Sequence, residues 1–497
     1  MSSESKNDLQ TTHIEGPHNE KLANYGDIAG QLVDVDRRGS ITPDDDRRCL
    51  RRIDIVLMPV MFVSFAMQYM DKACLTSAAL FGILPDLELF QIVDVDGSAT
   101  LSTQKFGYCS LIFYWGYLVG LVPGVFFSQK FPLGKYVAIM MFLWGGVTVC
   151  TVAVRSYHGL LVQRFFLGVA EAGIAPAFSL ITAMWYKRRE QPMRFAIWFS
   201  ASGISILIGS LIFYAIGQVH GKLHPWRYQF MIVGCFSSAW GMDMRRIAVE
   251  RMRLEQIGIE NKRFKPEQLK EAFKDPKTYF YVVMLFSINL GNGAATGFGS
   301  IIVESFGYTV LRTILLLGVA GVFVFVFTLG VGLVSVHVRN SRCYCAMICC
   351  LPVIAGCAMV WKSDWQHNRA AALWGFFMLT IFSATQAMIL SLVGANTAGH
   401  TKKAVTAGLV WGSYSISNGI APLLVKTTEK QQHYPSAFIP IMAMMTLTFV
   451  LLGIYRIYML LLNRKKDSVM LVDMSAAART GFLDITDTQN ENFRYQA

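Results

Sequence analysis

The feature that most constrains this chain is its series of long apolar runs. They begin near Ile53, Phe106, Tyr136, Leu160, Phe195, Tyr228, Tyr279, Leu311, Cys343, Ala370, Ala404 and Phe438, twelve in all. A run of about 20 such residues crosses the ~30 Å hydrocarbon core as a helix, the form that satisfies every backbone N–H and C=O within its own segment. With 53% hydrophobic and only 16% charged residues, the chain falls outside the range of soluble globular enzymes. The pattern predicts an all-α membrane protein of twelve spans in two sets of six. The expected divisions are an N-terminal tail over 1–50, a six-helix half over 51–242, a linker over 243–278, a second half over 279–462 and a C-terminal tail over 463–497.

The net charge of +12 does not point to nucleic acid, because the basic residues sit in short clusters between the apolar runs. Lys187, Arg188, Arg189 and Arg194 form one cluster, residues 245–277 carry another, Arg339 with Arg342 a third, and Lys402 with Lys403 a fourth. These alternate loops are roughly twice as rich in Lys and Arg as the opposite set, which places both termini in the cytoplasm by the positive-inside rule. The acidic loop over 83–103 would then lie outside. The first 50 residues are polar and lack the apolar core of a cleavable signal, so a disordered cytoplasmic tail is predicted there. Most of the 10 cysteines lie inside apolar runs without zinc-like spacing to histidines, so neither bridges nor a metal site is expected. No phosphate-binding loop or hydrolytic triad is visible; the chain is expected to be a non-enzyme without a cofactor.

Two charges interrupt the fourth run. In RFFLGVAEAGIAP (164–176), Arg164 and Glu171 lie within an otherwise apolar span. A charge at the centre of a spanning helix costs roughly 3 kcal/mol on insertion scales. At 3.6 residues per turn the two fall about 20° apart around the axis and roughly 10 Å apart along it, on one face but out of easy direct contact. Gly168 keeps that face thin, so a neighbouring helix or a solute can approach. The first run ends in Tyr69, Asp71 and Lys72, either a snorkelling interface pair or part of the same polar centre. Two acids and two bases in the first and fourth spans could meet in a central cavity, where transporters built from repeats bind their ligands. A buried structural ion network is the other reading.

The second half is nearly free of such charges. It offers Asn289 and Asn292 in the seventh run, Ser383, Thr385 and Gln386 in the tenth, and Ser413, Ser417 and Asn418 in the eleventh. Uncharged polar groups suit the neutral part of a solute, and each could equally be an interhelical hydrogen bond worth about 0.6 kcal/mol.

The sixth run, YQFMIVGCFSSAWGM (228–242), offers only about 15 residues before Asp243, or roughly 22 Å of helix, too short for a comfortable span. Beyond it, RRIAVERMRLEQ (245–256) has the spacing of an amphipathic surface helix, or of a plain solvated linker.

Several motifs in order resemble the major facilitator superfamily, and within it the anion:cation symporters of the fungal allantoate and nicotinate permease group. They are MDK (70–72), FYWGYLVGLVPG (113–124), FPLGKY (131–136), RFFLGVAEAGIAP (164–176), PWRYQF (225–230), RRIAVER (245–251), WGSYSISNGIAP (411–422) and GFLDITDTQNENFRY (481–495). The resemblance implies two six-helix halves and proton-coupled uptake of a small organic anion by alternating access, in a monomeric plasma-membrane protein. It assigns proton coupling to Asp71 and Glu171, the substrate anion to Lys72, and to Arg164 the cation that compensates Glu171. It places Tyr69, Tyr117 and Asn418 on the cavity wall, and the residue reading adds Asn289, Asn292 and Gln386 as substrate contacts.

The chain departs from that pattern in two places. Ser128 and Gln129 stand after Gly124 where an acidic-basic pair is usual, and Gly241 joins RRIAVER almost directly, as if a segment of the sixth span were missing. A transporter-like nutrient receptor and a non-functional product of that short span are the alternatives, and facilitated uptake of neutral sugars is disfavoured by the four charges in spans one and four.

Overall fold

A computed structural model describes residues 43–95, 98–131, 133–219, 221–254, 265–338, 340–469 and 485–496. The described residues are overwhelmingly helical, and each of the twelve apolar runs is a helix or a broken pair of helices. The first half comprises Pro43–Leu80, Gln104–Lys130, Leu133–Cys150, the pair Tyr157–Glu171 and Ile174–Trp185, Gln191–Gly217, and Pro225–Leu254. The second comprises Pro276–Ser305, Val310–His337, Arg342–Lys362, the pair Arg369–Leu379 and Phe382–Asn396, His400–Leu424, and Pro435–Val469. Among the described residues nine spans are long and apolar enough to cross a membrane by composition alone. The sixth, seventh and eleventh are long enough as helices but more polar.

The sixth span is apolar for only the short stretch expected and is not among those nine, yet its helix runs unbroken for 30 residues from Pro225 to Leu254, about 45 Å at 1.5 Å per residue. Residues 245–254 are helical as their spacing predicts, but they continue the sixth span instead of forming a separate surface helix. The linker's own helix is Pro266–Lys274, opened by a proline that supplies no N–H where none is needed.

Both expected tails are shorter than their predicted bounds. The first helix begins at Pro43 with Asp44, Asp45 and Asp46 in its first turn, where carboxylates favour the positive end of the helix dipole. The last helix extends to Val469, and residues 485–496 pack against the helices, burying Thr486, Asp487, Phe493 and Tyr495. The rest of the expected tails, 1–42 and 470–484, lies outside the described residues. The acidic loop carries a hairpin of β1 (Gln91–Val95) and β2 (Ser98–Ser102), antiparallel with Gln91 opposite Ser102.

The two halves repeat one packing plan. In the first, the first span packs on the fifth, the second on the fourth and the third on the sixth; in the second half the seventh packs on the eleventh, the eighth on the tenth and the ninth on the twelfth. Between halves the fifth meets the eighth, the second the eleventh and the first the seventh. The third, sixth, ninth and twelfth spans face outward with exposed large apolar residues such as Phe142, Phe236, Ile348 and Ile457. Within the first half, a Cβ on Gly168 would run into the Phe113 carbonyl, so the second and fourth spans touch backbone to backbone, as the thin face at Gly168 predicts.

The fourth and tenth spans hold corresponding places in the two halves, and both are broken near their middles. In the fourth, the break at Ala172 and Gly173 precedes Pro176, which lacks an N–H and whose ring crowds the carbonyl of Ala172. In the tenth, the break falls at Thr380 and Ile381, where the Thr380 hydroxyl donates to the Phe377 carbonyl at 2.7 Å. Interrupted helices at matching positions of two repeats mark where a membrane transporter exposes polar groups at mid-depth.

Candidate transport site

The break in the tenth span borders a cavity between the halves with about 770 Å³ of empty space, part of it open to solvent. Tyr69, Lys72, Ala73 and Thr76 reach it from the first span, the positions of one helical face. Asn292 and Thr296 reach it from the seventh, and Thr380, Phe382 and Ser383 from the break in the tenth. The remaining wall is largely apolar, with Ile206 and Phe213 from the fifth span and Leu317 and Val324 from the eighth. The cavity therefore has one cationic, hydroxyl-rich side and one greasy side.

Lys72 supplies the charge. Its Nζ lies 2.6 Å from Glu171 Oε1 and 5.0 Å from the centroid of the Tyr69 ring. Glu171 sits at the last residue before the break in the fourth span, with its side chain 2% exposed, while Lys72 keeps 12% exposure towards the cavity. The cation against Glu171 is thus Lys72 and not Arg164. The reason is the axial separation noted above: Arg164 lies two turns away, whereas the first span brings Lys72 directly across from the break.

Asp71 and Arg164 face a second, smaller cavity of about 380 Å³, which Lys72 and Thr296 also border. Both are buried. Among the described residues neither carboxylate oxygen of Asp71 has a hydrogen-bond partner, nor do Nε and Nη2 of Arg164, whose guanidinium stacks 5.1 Å from the Phe230 ring. Unsatisfied buried charge of this kind is costly and calls for water or a solute beside it.

Of the other predicted contacts, Asn292 alone lines the larger cavity. Asn289 stands behind it: the Asn292 amide donates to Asn289 Oδ1 at 3.2 Å, and the Asn289 amide donates to the Leu285 carbonyl at 2.7 Å. Tyr117 lies away from both cavities, its ring 6.2 Å from that of Tyr414. Asn418 donates to the Tyr414 carbonyl at 2.8 Å, and its Cα abuts Gly293 where the seventh and eleventh spans pack tightly. Gln386 is fully buried one turn beyond Ser383, with neither amide atom partnered among the described residues, and does not line either cavity. The sequence reading missed Thr76 and Thr296; Thr76 is one turn beyond Lys72 on the same face, a spacing that would have found it. No cluster of metal-ligating side chains occurs among the described residues.

A family model described as Major Facilitator Superfamily matches residues 58–425. The chain belongs to the major facilitator superfamily. It is a multi-pass membrane transporter of that superfamily and not an enzyme. An uncharacterized transporter of Schizosaccharomyces pombe is 33% identical over 95% of this chain and 91% of its own length. The allantoate permease of Saccharomyces cerevisiae is 28% identical over 94% of this chain and 90% of its own length. Both bear out the resemblance to the fungal allantoate permease-like group. Among solved structures the proton:xylose symporter XylE matches with TM-score 0.59 at 12% identity, covering 80% of this chain and 95% of that one, a likeness of fold.

Proposed function

We propose that this superfamily member carries a small organic anion together with protons into the cytoplasm across the plasma membrane, as a monomer with both termini inside. The observation that carries the reading is Lys72, held against buried Glu171 on the wall of the cavity between the halves. A lysine so placed offers a carboxylate a point charge, and Tyr69, Asn292 and the threonines offer hydrogen bonds around it. The apolar side suits the body of the solute, and the curated relative named for allantoate makes a carboxylate the first class to try.

Protonation of Glu171 from the outside would release Lys72 to the substrate anion. Protonation of Asp71 would act likewise on Arg164 in the adjoining cavity. After the halves rock and the site faces inward, loss of the protons lets Glu171 take Lys72 back and expel the anion. Asn289 positions Asn292, and Gln386, Tyr117 and Asn418 belong to the packing beneath the site.

The experiment is uptake of radiolabelled allantoate, nicotinate and pantothenate by cells expressing the chain, with and without an uncoupler. A symporter accumulates one of them and loses it with the uncoupler. Equilibration without accumulation would reduce the reading to facilitated transport, and no uptake with retained binding would favour the receptor.

A further inference from the structure

The C-terminal segment 485–496 is built into the end of the molecule that carries the linker helix and the turn at 186–190. Its anchor is Asp487, fully buried, which pairs with Lys277 at the start of the seventh span and with Lys402 at the start of the eleventh, the latter at 2.9 Å. Lys402 also reaches Asp275 at 2.7 Å and Glu271 of the linker helix at 2.9 Å. The segment continues by pairing with two asparagines. Gln496 and Asn396 exchange hydrogen bonds of 2.7 Å in both directions, and Tyr495 does the same with Asn463 at 2.8 and 2.9 Å. Every one of these partners belongs to the second half or its linker.

From the first half, Arg188 meets the segment. The guanidinium of Arg188 stacks 3.7 Å from the Phe493 ring, and its Nη1 donates to the Arg494 carbonyl at 3.4 Å. The Arg188 carbonyl in turn accepts from Arg342 at the start of the ninth span. The turn that bears Arg188 is tied to its own half by Lys187 to Asp46 and Arg194 to Asp54, both at 2.6 Å. Any motion that separates the halves at this end must therefore break the Arg188 contacts, while the ion cluster around Asp487 rides intact with the second half.

We propose that residues 485–496 form a latch: a strap fixed to the second half by Asp487 that holds the halves together at this end by gripping Arg188, and so biases the transporter against opening there. Beneath it the closed seam is marked by the Trp411 indole, which donates to the Ser179 hydroxyl at 3.2 Å across the halves.

The test uses the full chain, purified in lipid nanodiscs, with Ser179→Cys as a reporter that a water-soluble maleimide reaches when this end opens. Native cysteines are distinguished by peptide mass spectrometry, and hydrogen exchange of 485–496 reports whether the strap is docked. Arg188→Ala is expected to speed labelling at 179 severalfold with the strap still protected. Asp487→Asn is expected to speed it while the strap loses protection. Unchanged labelling in Arg188→Ala, or in Asp487→Asn with the strap released, overturns the latch and leaves the segment as a buttress of the second half. If Asp487→Asn does not fold, Phe493→Ala, which leaves the ion cluster in place, takes its part with the same two outcomes.

Discussion

Lys72 and Glu171, separated by 99 residues in sequence, form a 2.6 Å ion pair at the break in the fourth span. Taking two charges out of water is offset only while both are present, so removing one partner from a buried pair costs about 3–5 kcal/mol, whereas replacing both by apolar residues is often neutral. Lys72→Met is therefore expected to lower the melting temperature of the purified protein markedly, and Lys72→Met with Glu171→Leu to restore most of it. A double variant as unstable as the single one would show that other groups hold the centre together.

Glu171→Gln removes the titrating group while leaving an amide able to accept from Lys72. Uncoupler-sensitive accumulation should fall at least tenfold, and exchange of labelled for unlabelled solute should fall much less. Equal loss of both would make Glu171 a structural residue.

Asn292 and Asn289 separate binding from support. Asn292→Ala should raise KM for the transported solute roughly ten- to a hundredfold, because a hydrogen bond to a charged group contributes about 1.5–3 kcal/mol. Asn289→Ala should shift KM less and lower stability by about 1 kcal/mol, since its amide serves the backbone and its neighbour. Parallel uptake curves and thermal melts distinguish the two.

Gly203 of the fifth span faces Gly321 of the eighth, and a Cβ on either would strike backbone of the other. Gly203→Ala overpacks this contact between the halves at a cost of about 1–3 kcal/mol. Because the contact must slide when the halves rock, transport rate should fall further than the melting temperature alone would suggest, as measured by initial uptake normalised to folded protein.

At Asp487, burial opposes the charged form, but Lys277 and Lys402 outweigh it and hold the carboxyl below its usual range. A depressed folded value means that the strap's anchor is fully stabilising above the ordinary Asp pKa of about 4 and weakens as pH falls through the lower folded value. Hydrogen exchange of 485–496 should thus be unaffected, after correction for intrinsic rates, between about pH 8 and 5, and rise only in stronger acid. Loss of protection near neutrality would assign the anchor to another group.

The sequence alone determined the number and order of spans, because run length and apolar composition dictate a helix in lipid whatever its neighbours. It also singled out Asp71, Lys72, Arg164 and Glu171, since a charge inside an apolar run is conspicuous by its cost. It found the short apolar stretch of the sixth span but not the length of its helix: hydropathy ends at Met242 and the helix does not, because helix formation tolerates charged residues that bilayer insertion disfavours. Which acid meets which base was decided by tertiary structure: Glu171 takes Lys72 because the break before Pro176 and the crossing of the first span bring them together, and pairing across 99 residues leaves no trace in local spacing. The same holds for the cavity's greasy wall, where Ile206, Phe213, Leu317 and Val324 read like any lipid-facing residue. It holds too for Asp487, whose partners on the seventh and eleventh spans become its neighbours only once the second half has folded around the tail.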